Sequence, residues 1–244
     1  MAFSESDIAE LFAPLKPAQA FGVVLSEARQ VLANVRQPID AELWGSDMIG
    51  ALGSGEGPDD SEVMTALALS VVPSAEADAT PESLALLRIL AAIGGPELRQ
   101  AAQSAADRVA AGGVADAEWA AAIGSPTIGK SWHYSDVGGR QESITVSFGY
   151  GASEHALSVL IDHGKGGKIK DAWVDNAEGL LDKTWLAAEN DPLIVFEAIE
   201  PADAGARLAK AVAAGECPSK PDEADDLTAH RALLRARVHY LTAN

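Results

Sequence analysis

The amino-acid sequence predicts an α+β protein: an N-terminal helical region, then a mostly antiparallel sheet of four to five strands, with C-terminal helices. Two observations carry this prediction. Of the 47 alanines, 28 lie at or before position 122 and none lies between positions 123 and 151. Alanine favours helices and is depleted from strands. From about residue 126 onward, the apolar residues change from helical spacing to the alternation that is typical of strands.

Composition and charge divide the chain into two regions, residues 1–124 and residues 125–244. The whole chain of 244 residues has a net charge of −18. Residues 1–120 contain 6 basic and 18 acidic residues, whereas residues 121–244 contain 12 and 18. We therefore expect an acidic, alanine-rich helical region, followed by a region in which a sheet is packed with C-terminal helices.

Successive helices are predicted in the first region. Residues 21–35 carry an apolar stripe with helical spacing, and Pro38 is expected to end that helix. A glycine-rich loop at residues 50–58 precedes a second helix, which is expected to end at Pro73. Further start and stop signals fall at Thr80 with Pro81, at Gly94 with Gly95, at Pro96, and at Gly112 with Gly113.

Strands are predicted in the second region. Residues 143–150 alternate between large apolar and small or polar side chains, which indicates a half-buried strand. Residues 155–163 are apolar on both faces at their centre, which favours an inner strand. A turn at residues 164–167 joins this strand to residues 168–175, the returning strand of a hairpin. Two more strands are predicted at residues 127–134 and 193–199.

The C-terminal part predicts two helices, at residues 202–214 and 227–241, separated by a linker-like segment at residues 215–226. The last helix has an apolar stripe made by Leu227, Leu234, Val238 and Leu241. It also carries the basic residues Arg231, Arg235 and Arg237. We expect these arginines to pair within the acidic protein, and contact with a phosphate or an acidic partner is the alternative.

The predicted hairpin contains five side chains of the types that bind metals or transfer protons: His155, Asp162, His163, Asp171 and Asp175. If the turn pairs His163 with Lys168, then Asp162 and Asp171 lie diagonally on one sheet face, about 7–8 Å apart. Such carboxylates could bind a divalent ion or act in acid–base catalysis together with a histidine. The histidines fall on the other face in this register, so a structural role is the favoured interpretation.

A second candidate site is the segment around Trp132, Tyr134 and Arg140, which borders a glycine turn at Gly138 and Gly139. Trp, Tyr and Arg dominate protein interfaces, so an exposed cluster here would be a binding surface. Because large side chains are few in this chain, we expect Trp132 and Tyr134 to serve mainly in the core.

Several function classes are excluded or disfavoured by the sequence. The glycine-rich runs do not match a phosphate-binding loop, and no nucleophile elbow is present. The single cysteine, Cys217, cannot form an intramolecular disulfide, and zinc-ligand spacing is absent. No cofactor is therefore expected, with a divalent metal at Asp162 and Asp171 as the alternative. The start of the chain lacks the pattern of a secretory signal and no long apolar run occurs, so a cytoplasmic protein without membrane association is expected.

A set of residues between positions 119 and 199 has a recognisable pattern: Trp132, Asp136 and residues 139–141, 155–157, 160–163, 166–167 and 170–172. With these residues, the chain resembles an uncharacterised family of actinobacterial proteins. The two C-terminal helices are similar to that family as well. The family has no established activity, so the resemblance implies a cytoplasmic bacterial protein and no particular reaction.

The favoured function is a non-enzymatic protein-binding or regulatory protein, because the chain lacks a strong catalytic constellation and is acidic. One alternative is a metal-dependent hydrolase or nuclease-like enzyme that uses Asp162 and Asp171 with His155 or His163. A third hypothesis is an acidic mimic of nucleic acid. Direct nucleic-acid binding is disfavoured, because it depends on Lys and Arg contacts with phosphates. The oligomeric state is left open.

Overall fold

The structure is a computed structural model that describes residues 17–53 and 60–243, and it confirms the predicted α+β class. The chain divides into two compact units between Gly124 and Ser125. The first unit is helical, and the second contains a five-stranded antiparallel sheet with helices. Within the described residues, no helix is both long enough and apolar enough to cross a membrane.

The first unit is built around a central buried helix. Its helices are α1 (Pro17–Leu32), α2 (Pro38–Leu52), α3 (Asp60–Ala66), α4 (Val72–Asp78), α5 (Pro81–Ile93) and α6 (Pro96–Ala111). Helix α5 starts as predicted, because the Thr80 side chain accepts a hydrogen bond from the backbone N–H of Ser83 and so caps the first turn. Its leucines and isoleucines are almost fully buried, which makes α5 the centre against which α1, α2, α4 and α6 pack.

Two prolines in this unit behave differently from the prediction. Helix α1 already ends at Leu32, and Pro38 begins α2, a helix that was not predicted. Proline is well suited to the first turn of a helix. The prediction that Pro73 ends a helix is wrong. A π-helical segment, Leu67–Val71, joins α3 to α4, and the wider turn carries the chain through Pro73. The predicted loop at residues 50–58 lies largely outside the described residues, and its first three residues belong to α2.

The second unit contains a sheet with the strand order β4-β3-β2-β1-β5. The strands are β1 (Thr127–Asp136), β2 (Gln141–Tyr150), β3 (Ser153–Asp162), β4 (Lys168–Asn176) and β5 (Ile194–Ile199). Its helices are α7 (Ala177–Asn190), α8 (Pro201–Ala214) and α9 (Pro221–Ala243). Strands β1 to β4 pair in sequence as antiparallel neighbours, and α7 then returns the chain so that β5 pairs with β1.

The two faces of the sheet differ in character. The first face is apolar and packs against α8 and α9, which contribute Leu208, Leu234 and Val238 to the same core. The second face carries small buried hydroxyl residues, and α7 packs there through Leu180 on Trp132. The apolar residues of the first face include Ile144, Val146, Phe148, Leu157, Val159 and Ile161.

Helix α7 was not predicted from the sequence, although it carries a recognisable start signal. The Asn176 side chain accepts a hydrogen bond from the Gly179 backbone N–H, which is the geometry of a helix N-cap. Helix α9 begins at Pro221, six residues before the predicted start at Leu227. The predicted linker is therefore shorter than expected.

Candidate functional site

Asp162 and Asp171, the carboxylates of the alternative metal site, lie on the second face of the sheet. Leu160 pairs with Asp171, as the sequence predicted. Asp162 pairs with Lys168 rather than with Ile169, because the register shifts at a bulge beside Ile169. The alternation of β3 keeps Leu160 and Asp162 on one face, so both carboxylates belong to the same side of the hairpin.

Asp162 and Asp171 accept hydrogen bonds from different groups. Asp162 Oδ2 lies 3.3 Å from Gln141 Nε2, which donates to it. Asp171 Oδ1 accepts a hydrogen bond of 2.8 Å from the backbone N–H of Ala172. Burial raises the pKa of Asp171, and the acidic residues of the first turns of α9, Asp226 foremost, raise this pKa further. Asp175 bonds instead to the Asn176 backbone N–H, which lowers the pKa of its carboxyl group.

The two histidines of the predicted cluster lie at opposite ends of β3 and belong to the first face. His155 is 5% exposed and stacks on Phe148 and Tyr150, with ring centroids 5.8 and 6.0 Å away. Among the residues that the structure describes, neither of its ring nitrogens finds a hydrogen-bond partner. Burial, and secondarily the positive charge of Arg237, lowers the pKa of His155 to about 3, so the ring is neutral at pH 7.

His163 follows β3 directly, and its Nε2 atom lies 2.9 Å from Glu142 Oε1. Neither histidine is thus placed beside Asp162 and Asp171. In residues 17–53 and 60–243, no group of three or more His, Cys, Asp and Glu side chains is arranged to hold a metal ion. The role of these carboxylates as metal ligands stays a prediction.

A polar cluster around Glu142 was missed by the sequence analysis. His133 Nε2 lies 3.1 Å from one oxygen of this carboxylate, and Arg207 donates to the same oxygen at 3.2 Å. The other oxygen contacts His163, and His133 Nδ1 lies 3.2 Å from Glu197 on β5. The cluster joins β1, β2, β5, α8 and the turn after β3. Because both oxygens of Glu142 are occupied by groups of the chain, we interpret the cluster as a tether between these elements.

The predicted binding residues Trp132, Tyr134 and Arg140 are not brought together as an exposed cluster. Trp132 is 3% exposed and lies in the core beneath α7, which is the interpretation that the sequence favoured. Tyr134 is half-buried on the same face, in register with Phe196. Arg140 is exposed in the turn between β1 and β2.

The arginines of α9 act mainly within the chain. Arg231 donates two hydrogen bonds, of 2.8 and 2.7 Å, to the two oxygens of Glu216. Arg237 is buried, lies 5.2 Å from the ring centroid of Phe148, and donates to the Tyr150 hydroxyl. The expected internal pairing is therefore confirmed for Arg231. The side chain of Arg235 is exposed.

Cys217 has no feature of an activated nucleophile. Its side chain is half-buried, and burial, followed by the negative charge of Asp162, raises the pKa of the thiol. A thiol with a raised pKa holds less of the reactive thiolate at pH 7.

An exposed apolar surface at one edge of the sheet is the most distinctive feature of the second unit. Of the six large apolar side chains that are exposed in the described residues, five belong to this surface, and the sixth is Leu69 in the first unit. We call these five residues the β5 edge surface: Val137, Trp185, Leu186, Leu193 and Val195.

Two contacts link residues of the β5 edge surface to strand β5 and the residue before it. Trp185 of α7 is 53% exposed, and it packs edge-on against Phe196 of β5 with ring centroids 5.6 Å apart. The backbone N–H of Val137 donates to the Leu193 carbonyl oxygen at 2.8 Å, which brings these two exposed residues side by side. Val195 lies on β5 itself, and Leu186 follows Trp185 on α7.

The sequence analysis missed the β5 edge surface for a physical reason. The apolar run at residues 193–199 is typical of a strand buried in a sheet, whereas β5 is an outermost strand. Trp185 and Leu186 lie on α7, a helix that was not predicted. The helical spacing of Leu181, Trp185 and Ala188 is the signal that could have found it.

No protein-family model matches this chain, and no curated protein or solved structure matches it. The resemblance to an actinobacterial family stays a prediction.

Proposed function

We propose that this chain is a non-enzymatic protein-binding protein and that the β5 edge surface is its binding site. The observation that carries the proposal is the concentration of exposed large apolar side chains at one edge of the second unit. Clustered apolar side chains on a protein surface mark interaction sites, whereas single ones are common and need no explanation.

The chemistry of the β5 edge surface fits this role. Tryptophan is enriched among the residues that dominate binding energy, and Trp185 is accessible with Leu186 beside it. Full burial of one such side chain by a partner contributes about 1.5–3 kcal/mol. The edge-on contact with Phe196 fixes the position of the Trp185 ring, so the ring is ordered before a partner binds.

The other two hypotheses receive less support. The hydrolase alternative needs a histidine beside Asp162 and Asp171, but His155 and His163 belong to the other face of the sheet. The nucleic-acid mimic rests on the net charge of −18 alone, without a described row of carboxylates at phosphate spacing. Neither hypothesis uses the exposed apolar residues.

The proposal is tested by affinity capture from a native lysate with three versions of the full chain. The first is the wild type, the second carries Trp185→Glu with Leu186→Glu, and the third carries Leu69→Glu. Leu69 is a matched control, because it is 75% exposed but lies in the first unit. We expect the wild type and Leu69→Glu to capture the same proteins, and the double variant to lose them.

Circular dichroism of the double variant checks that its fold is intact. Capture by the wild type that does not exceed background, or capture that the double variant retains, would contradict the proposal. Equal losses in the double variant and in Leu69→Glu would contradict the assignment of the β5 edge surface as the site.

A further inference from the structure

We infer that the partner binds the β5 edge surface as an added β-strand, and that this strand is an extended segment in which apolar and basic residues alternate. The inference rests on the proposed function and specifies its mode and the chemistry of the partner. Strand β5 ends the sheet, and in the described residues no other strand pairs with its outer side. An unpaired strand edge is a template for a strand from another chain.

The register of β5 identifies the backbone groups that a partner would use. Val137 N–H donates to the Leu193 carbonyl oxygen, so these two residues form a hydrogen-bonded pair. In an antiparallel ladder such pairs alternate with pairs that are not hydrogen-bonded. Val195 and Glu197 therefore also direct their backbone groups to β1. Phe196 and Ala198 direct theirs to the open side.

The open edge has a defined length. The backbone N–H of Ile194 donates to the Asp191 carbonyl oxygen at 3.0 Å and so is already used at the start of the strand. Phe196 and Ala198 together offer two donors and two acceptors to an added strand. A segment of about five residues is enough to pair with them.

The two sides of the open edge differ, which sets the pattern of the partner. On the second face, Trp185 and Phe196 present an aromatic surface that suits apolar side chains. On the first face, Glu197 lies beside Val195, and its side chain is 56% exposed. Because successive residues of a strand point to opposite faces, a partner that places apolar residues on one side places basic residues on the other.

Charge decides between a foreign segment and a second copy of this chain. Residues 177–200, which contain α7 and β5, have six acidic residues and one basic residue. Pairing two copies through β5 would bring these acidic segments together, and like charges across strands are destabilising. A basic segment is attracted to this edge and associates faster for the same reason.

The inference is tested with two fluorescent seven-residue peptides, one of alternating Val and Lys and one of alternating Val and Glu. Their binding is measured by fluorescence anisotropy with the wild type, Ala198→Pro and Ala198→Val. Proline removes the outward N–H of residue 198, whereas valine keeps it and favours strands. We expect the Lys peptide to bind the wild type and Ala198→Val alike, and Ala198→Pro about tenfold more weakly.

Hydrogen exchange provides a measurement that needs no variant. The Lys peptide is expected to slow exchange of the Phe196 and Ala198 amides of the wild type. Absence of Lys-peptide binding, equal binding of the Glu peptide, unprotected amides, or unchanged binding by a folded Ala198→Pro variant would each overturn the inference. A dimer that Ala198→Pro dissociates would overturn it in favour of a second copy.

The outcomes separate this inference from the proposed function. If Trp185→Glu with Leu186→Glu abolishes capture from the lysate but Ala198→Pro leaves both capture and peptide binding intact, then the β5 edge surface binds proteins through side chains alone. The proposed function then stands and strand addition is wrong.

Discussion

The two outer strands, β4 and β5, end the same sheet in different ways. The start of β4 is covered, because Ile169 donates its N–H to the Gly215 carbonyl oxygen at 2.9 Å and accepts from the Cys217 N–H at 2.7 Å. Helix α9 also packs against β4. Strand β5 has no such cover in the described residues, and its neighbours are exposed apolar side chains. Since open edges invite association, proteins usually block them, so the contrast supports the proposal that β5 is an interface.

Residues 215–217, the segment that covers the start of β4, are held in place by side-chain contacts with α9. Glu216, at the middle of the covering segment, accepts two hydrogen bonds from Arg231 of α9. Lys170 of β4 lies 3.4 Å from Glu223 at the start of α9. Backbone and side-chain bonds together therefore close the edge at β4, whereas in the described part of the chain β5 keeps unpaired backbone donors and acceptors on its outer side.

The largest expected effect is a loss of stability in acid, caused by the buried His155. This residue lies next to β4, where it pairs with Asn176. The pKa of His155 is about 3 in the folded protein and about 6.5 in the unfolded chain. Between these values the unfolded chain binds the proton, so stability falls as pH drops through this window. The loss reaches about 3 kcal/mol at pH 4.

Urea denaturation at pH 7 and pH 4 measures this effect, with His155→Phe as the comparison because phenylalanine keeps a ring that cannot be protonated. Carboxyl groups titrate in the same range, so the difference between the two proteins is the relevant quantity. We expect His155→Phe to lose less stability than the wild type on acidification. Equal losses would show that His155 is not buried as a neutral ring.

The contrast between the edges is tested directly by proline at each of them. Cys217→Pro removes the backbone N–H that donates to the Ile169 carbonyl oxygen. We expect this variant to lower the free energy of unfolding by about 1–3 kcal/mol. Ala198→Pro removes an outward N–H on β5, where proline is tolerated, and we expect a change below about 1 kcal/mol. Urea denaturation of both variants measures the difference, with Cys217→Ala as the control that retains the N–H. A larger loss from Ala198→Pro would mean that β5 is not an open edge.

A smaller effect is expected from the side-chain anchor of the cover. Arg231→Leu keeps an apolar stem on α9 but removes the paired hydrogen bonds to Glu216. Because the pair is partly exposed, we expect a loss of about 1 kcal/mol and faster hydrogen exchange at the Ile169 amide. His239→Leu at an exposed position of the same helix is the control. Unchanged exchange at Ile169 would indicate that the backbone bonds hold the cover unaided.

The smallest change in stability is expected at the open edge. Leu193→Ser replaces a side chain that is 60% exposed, and we expect the free energy of unfolding to stay within about 0.5 kcal/mol of the wild type. Capture of partners should nevertheless decrease. A marked destabilisation by Leu193→Ser, measured by thermal unfolding, would assign this residue to the fold rather than to binding.

The sequence allowed the sheet to be predicted because its signals are local. Alternation marked β2. The predicted pairing of Leu160 with Asp171 is present, but the turn pairs Asp162 with Lys168, and the bulge beside Ile169 restores the predicted register. The same alternation separated the carboxylates from His155 and His163. The one-residue bulge beside Ile169 could not be predicted, since it depends on how β4 packs against its neighbours.

The β5 edge surface could not be predicted from the same kind of local signal. An apolar run such as β5 has the same pattern whether its strand is inner or outer, and only the order of strands decides this. The Glu142 cluster was missed for a related reason. Its members extend from His133 to Arg207 along the chain, and only the folded sheet and α8 bring them together.

The position of β5 beside β1 has a consequence for the order of folding. The closest pair of β1 and β5, Asp136 with Ile194, is separated by 58 positions of the chain, whereas β2 and β3 are joined by a hairpin whose closest pair is Tyr150 with Ser153. Closing the longer loop costs more chain entropy, and contacts distant in sequence form slowly. We therefore expect β5 to dock on β1 late in folding, so that a chain in which it has not yet docked exposes β1 at that side. If the proposed partner adds a strand to β5, its binding edge exists only after this step, and binding would discriminate finished molecules from unfinished ones.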